Sequence, residues 1–417
     1  MRFSRRFLLG AGAGLLAGSG WARDSVARVI VVGGGFAGAT CARVLRQWAP
    51  QIAVTLIEPR RNFITGPMCN AALTGVMPMA QARQGPAALR REGVTWIGAA
   101  ARAIDPVRCR VQLEDRRWLE ADRLVIAPGI AMRWEGIEGL DETSSEKMPH
   151  AWSGDAQVMT LQRQLAGLRR GGVVAISIPQ NPYRCPPGPY ERASLIAWRL
   201  SQRRQRGKVL LLDGKDDFSK RALFQSAWDE LYPGLISWQS RTEGGEVVAV
   251  DARTRTLHLA GGERIHADVA CVIPPQRAAD IAFAADLTDA GGWCPVDPVN
   301  FASRRWPQVH VIGDAAQAHP MPKSATAANS QAKLCALSII AQLRGLPAPL
   351  PRLVNTCYSL VAPEYGISVG GRYAAEGGHL VPLSEGMSPL AADMGLRARE
   401  AEHARDWYRG IVADSFG

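Results

Sequence analysis

From Arg28 to Leu45 the chain reads RVIVVGGGFAGATCARVL: an unbroken apolar run, glycines spaced as G-x-G-x-x-G, and then apolar positions at helical period. The run predicts a strand over 29–32 buried on both faces, a turn, and a helix from Ala39 onward. A second apolar run predicts a strand over 52–57 that ends at Glu58. Beyond an irregular stretch over 59–86, the alternation predicts a strand near 94–97, a hairpin over 103–119 and a strand over 123–127 that closes on Pro128-Gly129. Much later a strand over 309–312 runs into Gly313-Asp314, and 324–343 carries a long helical pattern. Between these parts, 173–178, 191–203 and 209–212 repeat the order strand, helix, strand. Strands alternating with helices in this way predict an α/β fold with parallel sheets.

The first turn is built for a pyrophosphate. Gly33 permits the tight turn, Gly35 lets a phosphate approach bare backbone, and Gly38 lets the helix pack close to the strand with its N-terminal N–H groups facing the anion. Glu58, twenty residues past Gly38, can accept hydrogen bonds from an adenosine ribose and disfavours a 2′-phosphate. Gly129 permits a chain crossing beside such a cofactor. Asp314 suits the ribityl hydroxyls of a flavin, although alone a glycine and an aspartate after a strand read as a turn. Lys323 stands where the long helix begins, so its ammonium and the helix dipole together would stabilise negative charge on a reduced isoalloxazine; the bland alternative is a solvated lysine. In the middle unit the loop after the first strand reads PQNPYRCPPGP, and its prolines remove the N–H donors that cradle a pyrophosphate. A nicotinamide site is not expected there. The loop instead holds Cys185 beside Arg184, with Glu191 at the following helix start; a low-pKa reactive thiol and a structural cysteine both remain open.

Composition changes this picture little, except at the N-terminus. With 417 residues the chain is too long for one core, and 47% hydrophobic with 21% charged residues is ordinary for a globular protein. The net charge of +11 is spread over scattered pairs such as Arg169-Arg170 and Arg304-Arg305 without aromatic platforms, which argues against nucleic acid. Eight cysteines include no C-x-x-C and no C-x-x-C-H, so neither a zinc site nor covalent haem attachment is written into this chain. Residues 1–22 combine Arg2, Arg5 and Arg6 with a short glycine-rich apolar segment and small residues near Ala22, the pattern of a twin-arginine export signal; an arginine-rich anchor is the alternative. No later segment is apolar for long enough to span a membrane, so a soluble periplasmic protein with no membrane insertion of the mature chain is expected.

Several longer stretches, among them VVGGGFAGAT, VTLIEP, PHAW, YRCPPGPYERA, GWCPVD, PMPKS, NTCYSLVAPEYGISV and the closing WYRGIVADSFG, resemble the flavoprotein subunit of flavocytochrome c sulfide dehydrogenase. The resemblance implies a glutathione-reductase-like α/β fold with two Rossmann-like domains and an α+β C-terminal domain. The FAD domain would be discontinuous, over 28–149 and 276–350, with a second Rossmann-like domain over 150–275 lacking a nicotinamide site and a C-terminal domain over 351–417. It also implies a redox-active disulfide beside the flavin, whose cysteines match Cys185 and Cys357. Sulfide would attack one sulfur, leaving a persulfide there and on the other a thiolate that passes electrons to the flavin through a charge-transfer adduct; haem c on a partner cytochrome c subunit would then take them singly. Glu191 is the implied proton acceptor and Trp407 a wall of the site, while Cys41, Cys109, Cys271, Cys294 and Cys335 read as small core residues. One departure concerns the flavin link. Where the family carries an attaching cysteine this chain has Gly66, and Cys69 follows three residues later, so either Cys69 substitutes or FAD is held without a bond. The competing readings are a sulfide:quinone oxidoreductase, which should end in amphipathic helices that enter the membrane, and a non-catalytic flavoprotein accessory of a thiosulfate-oxidising system.

Overall fold

The computed structural model describes residues 27–203 and 207–417, so the export signal expected over 1–22 lies outside the described residues. Strand Arg28–Val32 is central in a five-stranded parallel sheet. It pairs on one side with Ala53–Ile57, then Thr95–Ile97, and on the other with Arg123–Ile126, then Val309–Val311. A strand flanked on both sides in a doubly wound sheet must be apolar on both faces, and Val29 to Val32 are buried. Chain order reverses about this strand, so its C-terminal end, at Gly33, is the switch point where such sheets open a crevice. The 309–311 strand arrives from far along the chain, which makes this sheet discontinuous in sequence.

A second parallel sheet repeats the logic with strands Ile236–Gln239, Lys208–Asp213, Val173–Ile178 and Val269–Val272 in that order. The helix between the strands Val173–Ile178 and Lys208–Asp213 runs Gly188–Gln202, one turn earlier than periodicity suggests, because Pro189 supplies a fixed φ that suits the first helical turn. Other boundaries shift for similarly local reasons. The expected hairpin over 103–119 is a three-stranded meander, Ala101–Asp105, Arg110–Leu113 and Trp118–Glu120. The stretch over 59–86 also contains a short strand pair, Phe63–Ile64 with Arg83–Gln84, and the helix Cys69–Thr74.

The C-terminal part is an antiparallel meander, Arg352–Ala362, Tyr365–Glu376 and His379–Met387, followed by the helix Met394–Phe416. Its first strand belongs to two cores. Leu353, with Tyr373 and Leu380 from the later strands, joins the core of the first sheet, whereas Val361, with Tyr365 and Ile367, joins that of the second. The closing segment is helical, and its buried positions Arg397, Glu400, Ala401, Ala404, Tyr408, Ile411 and Ser415 form one face. The stripe escapes a hydropathy reading because two of its members are an ion pair, Arg397 with Glu400 at 3.2 Å, and two are alanines. This face turns into the protein: Phe416 packs edge-on against Phe36 and Phe63 at 5.2 and 5.8 Å, and Ser415 Oγ lies 2.8 Å from Thr40 Oγ1. Replacing Phe416 with alanine should therefore cost about 3–5 kcal/mol. Denaturant unfolding followed by tryptophan fluorescence would measure it, and a loss under about 1 kcal/mol would show that the helix end is not held by this contact.

Candidate flavin and sulfur site

One open cleft of about 1800 Å³, its mouth included, runs from the glycine turn to Cys185 and Cys357. At the turn end the three glycines divide their work as their surroundings dictate. A β-carbon on Gly33, whose φ is +99°, would meet Ala127 O at 2.2 Å, and one on Gly38 would meet Gly33 O at 1.8 Å. Both are required by the packing of strand, turn and helix. A β-carbon on Gly35 would meet nothing within 4 Å, because this residue faces the cleft. The helix that begins here, Phe36–Trp48, has no side-chain cap and no acid in its first turn, so its N-terminal N–H groups and positive dipole end are left for an external anion.

Glu58 lines the same cleft, with Oε2 accepting from Gly34 N–H at 2.8 Å. Arg60, which sequence reasoning missed, closes on both its oxygens at 2.7 and 3.0 Å. Burial disfavours the Glu58 carboxylate, but Arg60 and the two backbone N–H donors outweigh it and hold the carboxyl below its usual range. Gly129, Gly313 and Asp314 border the cleft as well. Gly129 and Gly313 are left-handed, φ 73° and 76°, and the Gly313 N–H donates to Gln331 Oε1 at 2.8 Å. A bare helix end, an open glycine, a buried carboxylate and a second glycine-rich crossing fit the pyrophosphate, ribose and ribityl parts of FAD.

At the other end stand the two cysteines, 172 residues apart in sequence and on the wall of one cleft. Their sulfurs are unbonded in this structure, so the disulfide implied by the resemblance is not formed here. Cys185 has a left-handed backbone, φ 59°, and is fixed by its N–H to Lys323 O at 2.8 Å and by its carbonyl to Gly188 N–H at 2.9 Å. Of the two readings left open in sequence, the structure does not favour a low-pKa thiol: burial first, then the neighbouring Cys357 and Glu191, push the Cys185 thiol up to about 12. Arg184 does not prevent this, because its guanidinium is turned to Trp152 O and lies 3.9 Å from Asp314 Oδ2. Glu191 is half-buried in the cleft wall, and desolvation raises its carboxyl despite hydrogen bonds from Leu360 N–H at 2.9 Å and Asn70 Nδ2 at 2.8 Å. Asn70 in turn accepts from Arg192 Nε at 3.0 Å, and Arg192 donates to His150 O and Ala151 O at 2.7 and 2.9 Å. This polar knot was invisible in sequence, because an asparagine in CNAALT and an arginine in PYERA give no sign that they meet.

Trp407 lines the cleft with its ring centre 5.9 Å from that of Tyr358. Gly66 and Cys69 both line it too; a β-carbon on Gly66 would face open space, whereas the buried Cys69 thiol at the start of its helix is pushed up to about 11, chiefly by burial. Lys323 differs from expectation. Its ammonium donates to Asp314 O and Ala316 O at 2.7 and 3.0 Å and sits 3.7 Å from the Trp293 ring centre, so it is outside the main cleft and only its backbone braces the Cys185 loop. The long helix Ala325–Arg344 is capped by Ser324, whose hydroxyl accepts from Ala327 N–H at 3.0 Å. In the second sheet, Asp213 ends the strand in the place that Glu58 holds in the first. Its carboxylate is fully buried and already bonded to Tyr190 OH at 2.6 Å, Trp238 Nε1 at 3.0 Å and Lys215 Nζ at 2.6 Å.

Two units with parallel sheets, a glycine cradle on the first and two cysteines on the wall of its cleft, define an FAD-dependent oxidoreductase of Rossmann-type fold. Comparison with known proteins sharpens this. Residues 158–274 match the central domain of the sulfide dehydrogenase (flavocytochrome c) flavoprotein chain, residues 349–416 match the flavocytochrome c sulphide dehydrogenase flavin-binding domain, and residues 27–163 match the pyridine nucleotide-disulphide oxidoreductase family. The sulfide dehydrogenase (flavocytochrome c) flavoprotein chain of Chlorobaculum thiosulfatiphilum is 57% identical over 44 residues, which are 11% of this chain and 92% of that sequence. The mitochondrial sulfide:quinone oxidoreductase of Mus musculus is 22% identical over 312 residues, 72% of this chain and 67% of the other. Among solved structures, the sulfide:quinone oxidoreductase of Aquifex aeolicus shares the fold with a TM-score of 0.74 at 18% identity, over 94% of this chain and 92% of that one. The chain belongs to the family of flavocytochrome c sulfide dehydrogenase flavoprotein chains, FAD-dependent oxidoreductases of sulfide.

The glycines offer a direct check. Gly38→Ala should destabilise the fold by more than about 3 kcal/mol, as expected when a backbone contact is overpacked. Gly35→Ala should leave thermal stability of the apoprotein unchanged while lowering bound flavin per chain, read from the 450 nm absorbance. Equal flavin content in Gly35→Ala and wild type would place the pyrophosphate elsewhere.

Proposed function

We propose that this chain is the sulfide-oxidising flavoprotein of a periplasmic flavocytochrome c, exported by the twin-arginine route and passing electrons from FAD to a c-type cytochrome. The observation that carries this reading is that Cys185 and Cys357 wall the same cleft as Gly33, Gly35 and Glu58. A disulfide between them is the oxidised form. Hydrosulfide attacks Cys185 Sγ, a new S–S bond forms as the Cys185–Cys357 bond breaks, and the electron pair leaves on Cys357 Sγ. The raised Cys185 thiol suits an electrophilic sulfur rather than a free thiolate nucleophile. Glu191, whose carboxyl burial also raises, is placed to take the proton released as the persulfide ionises. FAD, when bound, supplies a two-electron acceptor that can release electrons one at a time.

Two features favour the cytochrome over quinone or nicotinamide. No helix among the described residues is long and apolar enough to cross a membrane, and the closing helix turns its buried face inward. The Asp213 carboxylate, where a nicotinamide ribose would bind, is fully buried under Tyr190, Trp238 and Lys215, whereas Glu58, itself bonded to Arg60 and Gly34, lines the open cleft. The flavin is held without a covalent bond in this reading, because Gly66 cannot form a thioether and Cys69 is buried with a raised thiol.

Steady-state sulfide oxidation with cytochrome c, a short-chain ubiquinone or NAD supplied separately should show turnover with the cytochrome alone. Rapid turnover with the quinone and none with the haem protein would move the chain to the quinone-reducing class. Cys185→Ser should keep FAD yet lose sulfide-dependent bleaching of its absorbance, by at least about a thousandfold in rate. Acid precipitation should leave the yellow cofactor in the supernatant; dye retained by the wild-type precipitate and lost in Cys69→Ala would instead assign a link to Cys69.

A further inference from the structure

Lys220 does not line the cleft, yet its ammonium reaches the strand that carries Cys357. The residue is 4% exposed, and Nζ donates to Cys357 O at 3.1 Å and to Ser359 Oγ at 2.8 Å. Both partners are neutral. In the same sheet region Lys215 finds a carboxylate at 2.6 Å, which is how a buried ammonium is ordinarily compensated. Lys220 is also held in a left-handed conformation, φ 65°, immediately before the helix Arg221–Leu231, which its side chain does not cap. A non-glycine residue keeps such a backbone only where its surroundings fix it, and residues of this kind gather at functional sites. A buried cation, held by neutral partners on an unusual backbone, is missing a negative charge.

The groups near enough to supply it are, in order of their effect, Cys357 on the Arg352–Ala362 strand, Glu191 on the Gly188–Gln202 helix, Cys185 in the loop before that helix, and Glu400 on the closing helix. Glu400 is engaged by Arg397 at 3.2 Å, and Glu191 is engaged by Leu360 N–H and Asn70. That leaves the sulfur pair. We propose that Lys220 is a positioning residue for the sulfide reaction, its ammonium offsetting the negative charge that collects on Cys357 Sγ when the Cys185–Cys357 bond breaks. The inference rests on the sulfide reading above and deepens it by adding the electrostatic partner of the leaving sulfur. The electron balance is unchanged: sulfide is the two-electron donor, the disulfide is opened, and Lys220 gains and loses no bond.

Burial pushes Lys220 down to about 8, against the opposing pull of the cysteines and carboxylates around it. The sign of the pH effect follows. That value holds with both thiols present; in the disulfide the cysteines' pull is gone and the ammonium is lost at lower pH, so disulfide opening should slow as pH rises toward about 8. Rapid mixing of the FAD-loaded protein with sulfide, followed at 450 nm from pH 6 to pH 10, tests this in wild type, Lys220→Met and Lys220→Arg. Sulfide's own ionisation is common to all three and cancels in their ratios. Lys220→Met should be slower at pH 7 by about tenfold, the equivalent of one unit of charge stabilisation, and should lack the alkaline fall. Lys220→Arg should keep the rate and move the fall beyond the range. A methionine variant with wild-type rate and profile, or an arginine variant that falls at the same pH as wild type, overturns the proposal; should the methionine variant not fold, the arginine variant decides alone. Wild type that sulfide does not bleach would fail the sulfide reading instead. In that event iodoacetamide alkylation of Cys357 after phosphine reduction still decides for Lys220: about tenfold slower labelling at pH 7 in Lys220→Met supports it, and equal labelling overturns it.

Discussion

The Arg352–Ala362 strand is the constraint on which the site depends. Its two ends are buried in different cores, Leu353 with the first sheet and Val361 with the second, and Cys357 lies between them. The strand therefore cannot slide along its axis without exposing apolar side chains at one end or the other, and a shift by one residue would turn Cys357 to the opposite face. The Glu191 carboxylate on Leu360 N–H adds a cross-tie from the helix that follows Cys185. The two sulfurs are thus positioned from separate parts of the chain by packing, and the loop that bears Cys185 is itself fastened to Lys323 O.

The cradle and the sulfur end are held by opposite means. At the cradle, space is removed by glycine so that backbone can meet backbone, and one glycine is left facing the cleft. At the sulfur end, polar groups are buried and tied to one another: Asn70, Glu191 and Arg192 share hydrogen bonds across three elements. Removing Asn70 would leave Glu191 Oε2 and Arg192 Nε without their partner, which costs more than the bonds themselves are worth.

Much of the fold was legible because strands buried on both faces must be apolar almost throughout, as 29–32 is entirely and 173–178 is but for Ser177. The glycine turn was legible for the same reason, since each glycine answers a separate steric demand. The Met394–Phe416 helix was not, because its inward stripe mixes alanine with a buried Arg397–Glu400 pair, and a hydropathy pattern cannot tell a paired charge from a solvated one. The character of the Cys185 thiol stayed open for a similar reason. Adjacency to Arg184 in sequence could not show that the guanidinium points to Trp152 O and that burial governs. Lys323 was placed correctly on the chain and wrongly in space, its ammonium folded back on the carbonyls of Asp314 and Ala316. Lys220, far from every motif, gave no signal at all.

Because Asp213 is fully committed to Tyr190, Trp238 and Lys215, the second unit keeps the outline of a nucleotide-binding fold while offering no free acceptor at the strand end. That strand end, unlike the Glu58 end of the first sheet, lines no part of the cleft. Under the proposed function the flavin's redox state would follow only the sulfur species that reach Cys185 and the acceptor that drains it, so the protein would stay oxidised wherever sulfide is scarce.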